Sequence, residues 1–200
     1  METEEEDDGV GVESMGSLSR SEVNQGFLSV SAGLMGCYED GLARLPNAAG
    51  NVTFHVGVSS EGRVEWAFLE RADLGLQEVQ ACMLDAVRGA QFVRPHGGAT
   101  EAVLPMDWSP PEAVRSPVEW SQVDVESALG GVRPAIDGCL GGATGFSLTL
   151  YVAPGGTVAA AGATPPDVAR QAQADCLAGA ALGWMLPDPG PDGAKVTLTF

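Results

Sequence analysis

The chain has 200 residues, 44% of them apolar, enough for one ordinary domain or two small ones. Its 27 acidic side chains outnumber 10 basic ones and leave a net charge of −17. That balance repels nucleic acid, where affinity comes from neutralising phosphates, and lacks a basic patch for anionic lipid; it favours cationic partners without naming one.

No run approaches the roughly 20 apolar residues of a membrane span, so no membrane insertion is expected in the visible chain. The opening METEEEDD is acidic where a secretory signal would be basic. On this ground alone the chain is either cytoplasmic or a mature or trimmed form, and the cysteines have to decide. Residues 1–17, acidic and then rich in glycine and serine, read as a solvated tail.

Val23, Phe27, Val30, Leu34 and Cys37 follow at i, i+4, i+7, i+11 and i+14, one stripe of a helix. "NVTFHVGV" alternates, with Val52, Phe54, Val56 and Val58 on one face. "SSEG" makes a turn, and "RVEWAFL" returns with Val64, Trp66 and Phe68 in phase, which is a hairpin signal. A second helix is predicted from about Leu74 to Gly89. Leu76, Val79, Cys82, Met83, Ala86 and Val87 form its apolar side. "RPHGG" breaks the chain, and "TEAVLPMDW" gives a last strand that Pro105 marks as lying at a sheet edge or as irregular. Pro110, Pro111 and Pro117 then mark residues 109–121 as a stiff linker.

The same order then repeats. Val125, Leu129, Val132, Ile136 and Cys139 lie 102 residues after the first helical stripe. Phe146, Leu148, Leu150 and Val152 lie 94 after the first strand, as does Cys176 after Cys82. The change of offset places a loss of eight residues in the loop after the first helix, where losses are tolerated. The expected fold is α+β: two tandem α-β-β-α-β domains, 18–108 and 122–200, each a three-stranded antiparallel sheet with two helices on one face. Trp66 and Phe68 become Ala160 and Gly162 in the second copy, and Trp184 is expected to refill that space in the core.

Each copy carries one cysteine on each helix. Side-by-side helices bring such residues within the roughly 4.4–6.8 Å Cα separation of a disulfide, so Cys37–Cys82 and Cys139–Cys176 are the expected bonds. Bonding across the proline-rich linker is the less favoured pairing. Closing a loop of this size adds roughly 4 kcal/mol, much of a small domain's stability. Such bonds place the chain in an oxidising compartment: periplasm, cell surface or outside. Nothing groups His55, His96 and the cysteines at metal-ligand spacing, and no acid pair or nucleophile–base pair stands out. No cofactor and no enzymatic activity are expected.

The stretch "GCYEDGLARLPNAAGNVTFHVGVSSEGRV" resembles the TonB C-terminal-like domain of the AgmX/PglI type, found in myxobacteria and related deltaproteobacteria. Cys37, Gly50, Val52, Gly62, Val64, Cys82, Phe92, Pro95, Gly97 and Gly98 carry the resemblance over about residues 20–108. The second copy keeps Cys139, Gly156, Val158, Cys176 and Pro189 and lacks the glycine pair. The resemblance implies a cell-envelope location, envelope-protein partners and a role in gliding motility or envelope assembly. The function expected is a non-enzymatic interaction module that binds an extended segment by strand addition, with strand 194–200 as a candidate edge. The alternative is a small secreted inhibitor or ligand-binding protein acting through its acidic surface.

Overall fold

The computed structural model describes residues 15–200, and most of the acidic tail lies outside them. The fold is α+β, with five helices and two sheets. In the first half, helices α1 (Arg20–Leu28) and α2 (Ser31–Leu42) precede strands β1 (Gly50–Val58) and β2 (Val64–Ala72). Helix α3 (Gln77–Arg88) and strand β3 (Thr100–Trp108) complete it. The sheet order is β2-β1-β3, antiparallel throughout, so β3 is an edge strand. In the second half, β4 (Val118–Trp120) and α4 (Gln122–Leu140) precede β5 (Ser147–Val152) and β6 (Val158–Thr164). Helix α5 (Gln171–Ala181) and β7 (Ala194–Thr199) follow.

The second sheet corrects two expectations. Its order is β4-β7-β5-β6, four strands and mixed, because β4 pairs parallel with β7. The linker therefore supplies a strand, which starts directly after Pro117 and is anchored by Val118 N–H to Gly193 C=O at 3.0 Å. It also follows that strand 194–200 is central rather than an edge, lying between β4 and β5.

The first helical stripe is broken into α1 and α2. Ser29 and Ser31 donate their hydroxyls to the carbonyls of Gly26 and Leu28 at 2.6 and 3.0 Å, competing with the helical ladder. The equivalent stripe in the second half is one continuous helix, α4, despite Pro134 inside it. In both halves the stripe faces a core. Phe27, Leu34, Phe54, Met83 and Val87 are buried in the first, and Val125, Ile136, Leu148, Leu177 and Leu198 in the second.

A β-bulge rearranges the hairpin. Gly57 pairs with Trp66 but Val58 pairs with Val64, so Glu65 is the extra residue. Beyond it, Ala67 and Leu69 face the helices, while Trp66 and Phe68 stand on the opposite face with His55. Their replacement by Ala160 and Gly162 thus leaves no void in the core, and Trp184 fills none; it packs in the second core on the helix side.

The outer face of the second sheet is where the halves meet. A Cβ on Gly162 would fall 2.8 Å from the Leu76 nitrogen and 2.9 Å from the Gly75 carbonyl carbon. The chain can approach this closely only because position 162 has no side chain. Around it, Gln77 Oε1 accepts from Ala163 N–H at 2.8 Å and Gln80 Nε2 donates to Ala163 C=O at 3.3 Å. Two glutamines one helical turn apart thus satisfy the outward N–H and C=O of Ala163 on the free edge of β6, as a neighbouring strand would. Gln77 also donates to Asp175 at 2.7 Å. Nearby, the Ala49 peptide is held from both sides. Its N–H donates to the Tyr151 hydroxyl and its C=O accepts from that hydroxyl, each at 3.0 Å. The C=O also accepts from Nζ of Lys195, the only lysine, at 3.0 Å. Burial pushes the Tyr151 phenol up to about 12.

Helix α3 is consequently covered on two sides. Its buried residues are Val79, Gln80, Met83, Leu84 and Val87; the four apolar ones pack in the first core and Gln80 reaches the second half, which leaves Cys82 exposed rather than on the apolar side.

Candidate functional site

Both cysteine pairs are joined. Cys37–Cys82 has a Cα–Cα distance of 5.8 Å and Cys139–Cys176 one of 5.5 Å. Each bond links a more buried cysteine on the first helix to an exposed one on the second, clipping the helix pair along its solvent side. The cysteines are therefore structural, and no free thiol remains. Among the described residues no group of three or more His, Cys, Asp and Glu is arranged to hold a metal ion, and no helix is long and apolar enough to cross a membrane.

The sheet edges differ in what they offer. The edge of β6 is capped at Ala163 by Gln77 and Gln80. Strand β2 is bulged twice and meets Gln91 at one end and the second half at the other. Strand β4 has three residues. Strand β3 is nine residues long and pairs with β1 from Thr100 to Trp108 without a register shift.

Among the described residues, only the start of the β3 edge is occupied. Gly16 N–H donates to Ala99 C=O at 2.8 Å, Thr100 Oγ1 donates to Gly16 C=O at 2.7 Å, and Ser17 bridges His96. Residues 16 and 17, read from sequence as tail, are thus ordered by the sheet. Beyond Thr100 a groove of about 520 Å³ runs between α1 and β3. Leu18, Arg20, Val23 and Asn24 form one wall, and residues Glu101 to Pro105 the other. Proline in a sheet takes the position whose N–H would point away from the neighbouring strand. The Thr53–Pro105 pair is then of the non-hydrogen-bonded kind, and by the two-residue period the N–H and C=O of Glu101, Val103 and Asp107 point away from β1, those of Glu101 and Val103 toward the groove.

On the outer face beside this edge, His55 Nε2 lies 2.9 Å from Glu101 Oε2, and Nδ1 lies 3.7 Å from Glu70 Oε2. The imidazole packs against Trp66 and Phe68, with centroids 5.4 and 5.2 Å away. In sequence His55 stands only as the polar-side residue between Phe54 and Val56. Its partners, 15 and 46 positions further on, become neighbours only through the strand register. His96 lies in its turn, 3.7 Å from Glu22. Of the four tryptophans, Trp108 and Trp184 are buried, Trp120 packs against the second core, and Trp66 lies on this face.

A hollow of about 200 Å³ also lies on the seam between the halves, lined by Leu45, Leu76, Val79, Ala160 and Leu182 among others. It is too small and too flush with the seam to rival the β3 groove as an extended binding surface. Comparison of the chain with family models, with curated proteins and with solved structures finds no match.

Proposed function

We propose that the chain is a non-enzymatic interaction module of an oxidising compartment, in the cell envelope or outside the cell, that captures an extended partner segment by strand addition to β3. The observation that carries this reading is the unbulged edge of β3, open beyond Thr100 among the described residues, beside a groove walled by a helix. An extended segment in that groove gains main-chain hydrogen bonds from Glu101, Val103 and Asp107, and side-chain contact with Leu18 and Val23. The sequence resemblance to TonB C-terminal-like domains favours the same reading and an envelope-protein partner. The two disulfides support the compartment, since such bonds persist only where thiols are not kept reduced.

The test is amide exchange by NMR in the isolated protein, followed by titration with extended peptides selected by display. Glu101, Val103 and Asp107 amides should exchange fast when the protein is free and become protected when a peptide binds. Val103→Pro, which removes one outward donor, should abolish capture and leave the fold intact. Protection of these amides in the peptide-free protein would overturn the proposal.

A further inference from the structure

The outer face beside β3 is built in rows that an added strand would extend. Glu101 pairs with Gly57, which pairs with Trp66; Val103 pairs with His55, which pairs with Phe68. The indole of Trp66 lies over the Cα of Gly57, where a Cβ would meet the ring, with Cζ2 at 2.8 Å. The row that ends at the β3 edge is therefore a carboxylate followed by an indole packed against the Gly57 backbone. Glu101 keeps its side chain 47% exposed, and only one of its oxygens is engaged by His55. Val103, in the next row, is 46% exposed.

Resting on the strand-addition reading, we infer that the captured segment places a cationic side chain beside Glu101, reaching toward the indole of Trp66. Its next outward residue, beside Val103, is apolar. Cross-strand neighbours lie about 5 Å apart at Cβ, so a long cationic side chain at the first position meets the Glu101 carboxylate directly. The indole over Gly57 begins about two strand spacings from the new strand, roughly 9.6 Å, on the path such a side chain follows. Arginine suits the row best, because its planar head group can both pair with a carboxylate and stack on an aromatic face. The opposite side of the added strand meets Leu18 and Val23 and selects apolar residues. The partner is thus an extended segment alternating apolar residues inward with an Arg–x–apolar pattern outward, in keeping with a net charge of −17.

The probe is a set of acetylated, amidated valine–threonine peptides carrying arginine, citrulline or glutamate at one outward position, moved along the strand. Binding is read from the amide shifts of β3 and the indole N–H of Trp66. In the best register arginine should bind about tenfold more tightly than its neutral isostere citrulline, the ratio a charge-assisted hydrogen bond provides. Glutamate should be weaker still. Glu101→Gln, which keeps an acceptor for His55, should bring the arginine-to-citrulline ratio close to one. Peptides that shift the β3 amides with equal affinity for arginine and citrulline would overturn this inference and leave strand addition standing. A set in which no peptide shifts those amides would overturn both.

Discussion

Substituting Gly162 with valine tests whether the halves form one unit. Gly162 has no left-handed backbone angle, and valine favours strands, so the change costs nothing in local conformation. Its penalty is at the seam. The new side chain would overlap the Leu76 nitrogen and the Gly75 carbonyl carbon, which are backbone atoms and cannot rotate aside. Overpacking of this kind costs about 1–3 kcal/mol. Parting the halves also surrenders the Gln77, Gln80, Tyr151 and Lys195 hydrogen bonds, each worth about 1 kcal/mol net. Spectrophotometric titration of the phenol, in a Tyr38→Phe background, reads the outcome. Tyr151 should titrate near 12 when the halves are docked and return toward the ordinary value of about 10 in Gly162→Val. The sign follows from the raised value. The neutral phenol is favoured by docking, so its contribution is complete below about pH 10 and is lost as pH rises through 12. The shift corresponds to something on the order of 3 kcal/mol. An unchanged Tyr151 titration in Gly162→Val, with a single unfolding transition, would refute the account of how the halves associate.

Three further outcomes follow from the same geometry. Reduction of the disulfides, whose Cys82 and Cys176 ends are exposed, should lower the stability of each half by roughly 4 kcal/mol in denaturant titrations; an unchanged midpoint under reductant would remove the case for them as staples. Replacing the exposed Pro134 by alanine restores a donor inside α4 and should stabilise the second half by about 1–3 kcal/mol, measured by thermal unfolding. Asp124 is held below the usual carboxylate range first by the Ser121 hydroxyl and then by the Ser121 N–H. This cap of α4 should be intact above the unfolded carboxylate value of about 3.9 and be lost as pH falls through the lowered one, as NMR titration of the Asp124 carboxyl would record.

What the sequence made legible were features with a local period. The helical stripe ending in Cys139, the alternation of β1, and the strand containing Pro105 stand where their spacing placed them, and the stripe ending in Cys37 does so as two helices instead of one. What it hid were features set by register and by contact between distant parts. One inserted residue, Glu65, reverses the facing of Trp66 and Phe68, and no two-residue alternation announces it. Strand β4 is three residues beside prolines and exists because β7 offers it an edge. The candidate site escaped for the same reason, since Glu101 meets His55 across a strand pair that only the register defines.

The differences between the two copies carry more information than their similarities. At the two paired positions, the first half has Trp66 and Phe68 and the second has Ala160 and Gly162. A core explanation requires a compensating side chain, and the structure has none at that place because both positions lie outside the core. The outer face of the second sheet is small and flat where α3 and its preceding loop close onto it, with Gln77 and Gln80 sealing β6. The same face of the first sheet keeps its aromatic side chains, its two glutamates and, alongside, the open edge of β3. A tandem copy therefore has one sheet with an edge, β6, engaged in holding the pair together and one whose unbulged edge, β3, is left for something else. On that division of labour, substitutions at Ala160 and Gly162 act on stability, whereas substitutions at Glu101 and Trp66 act on binding.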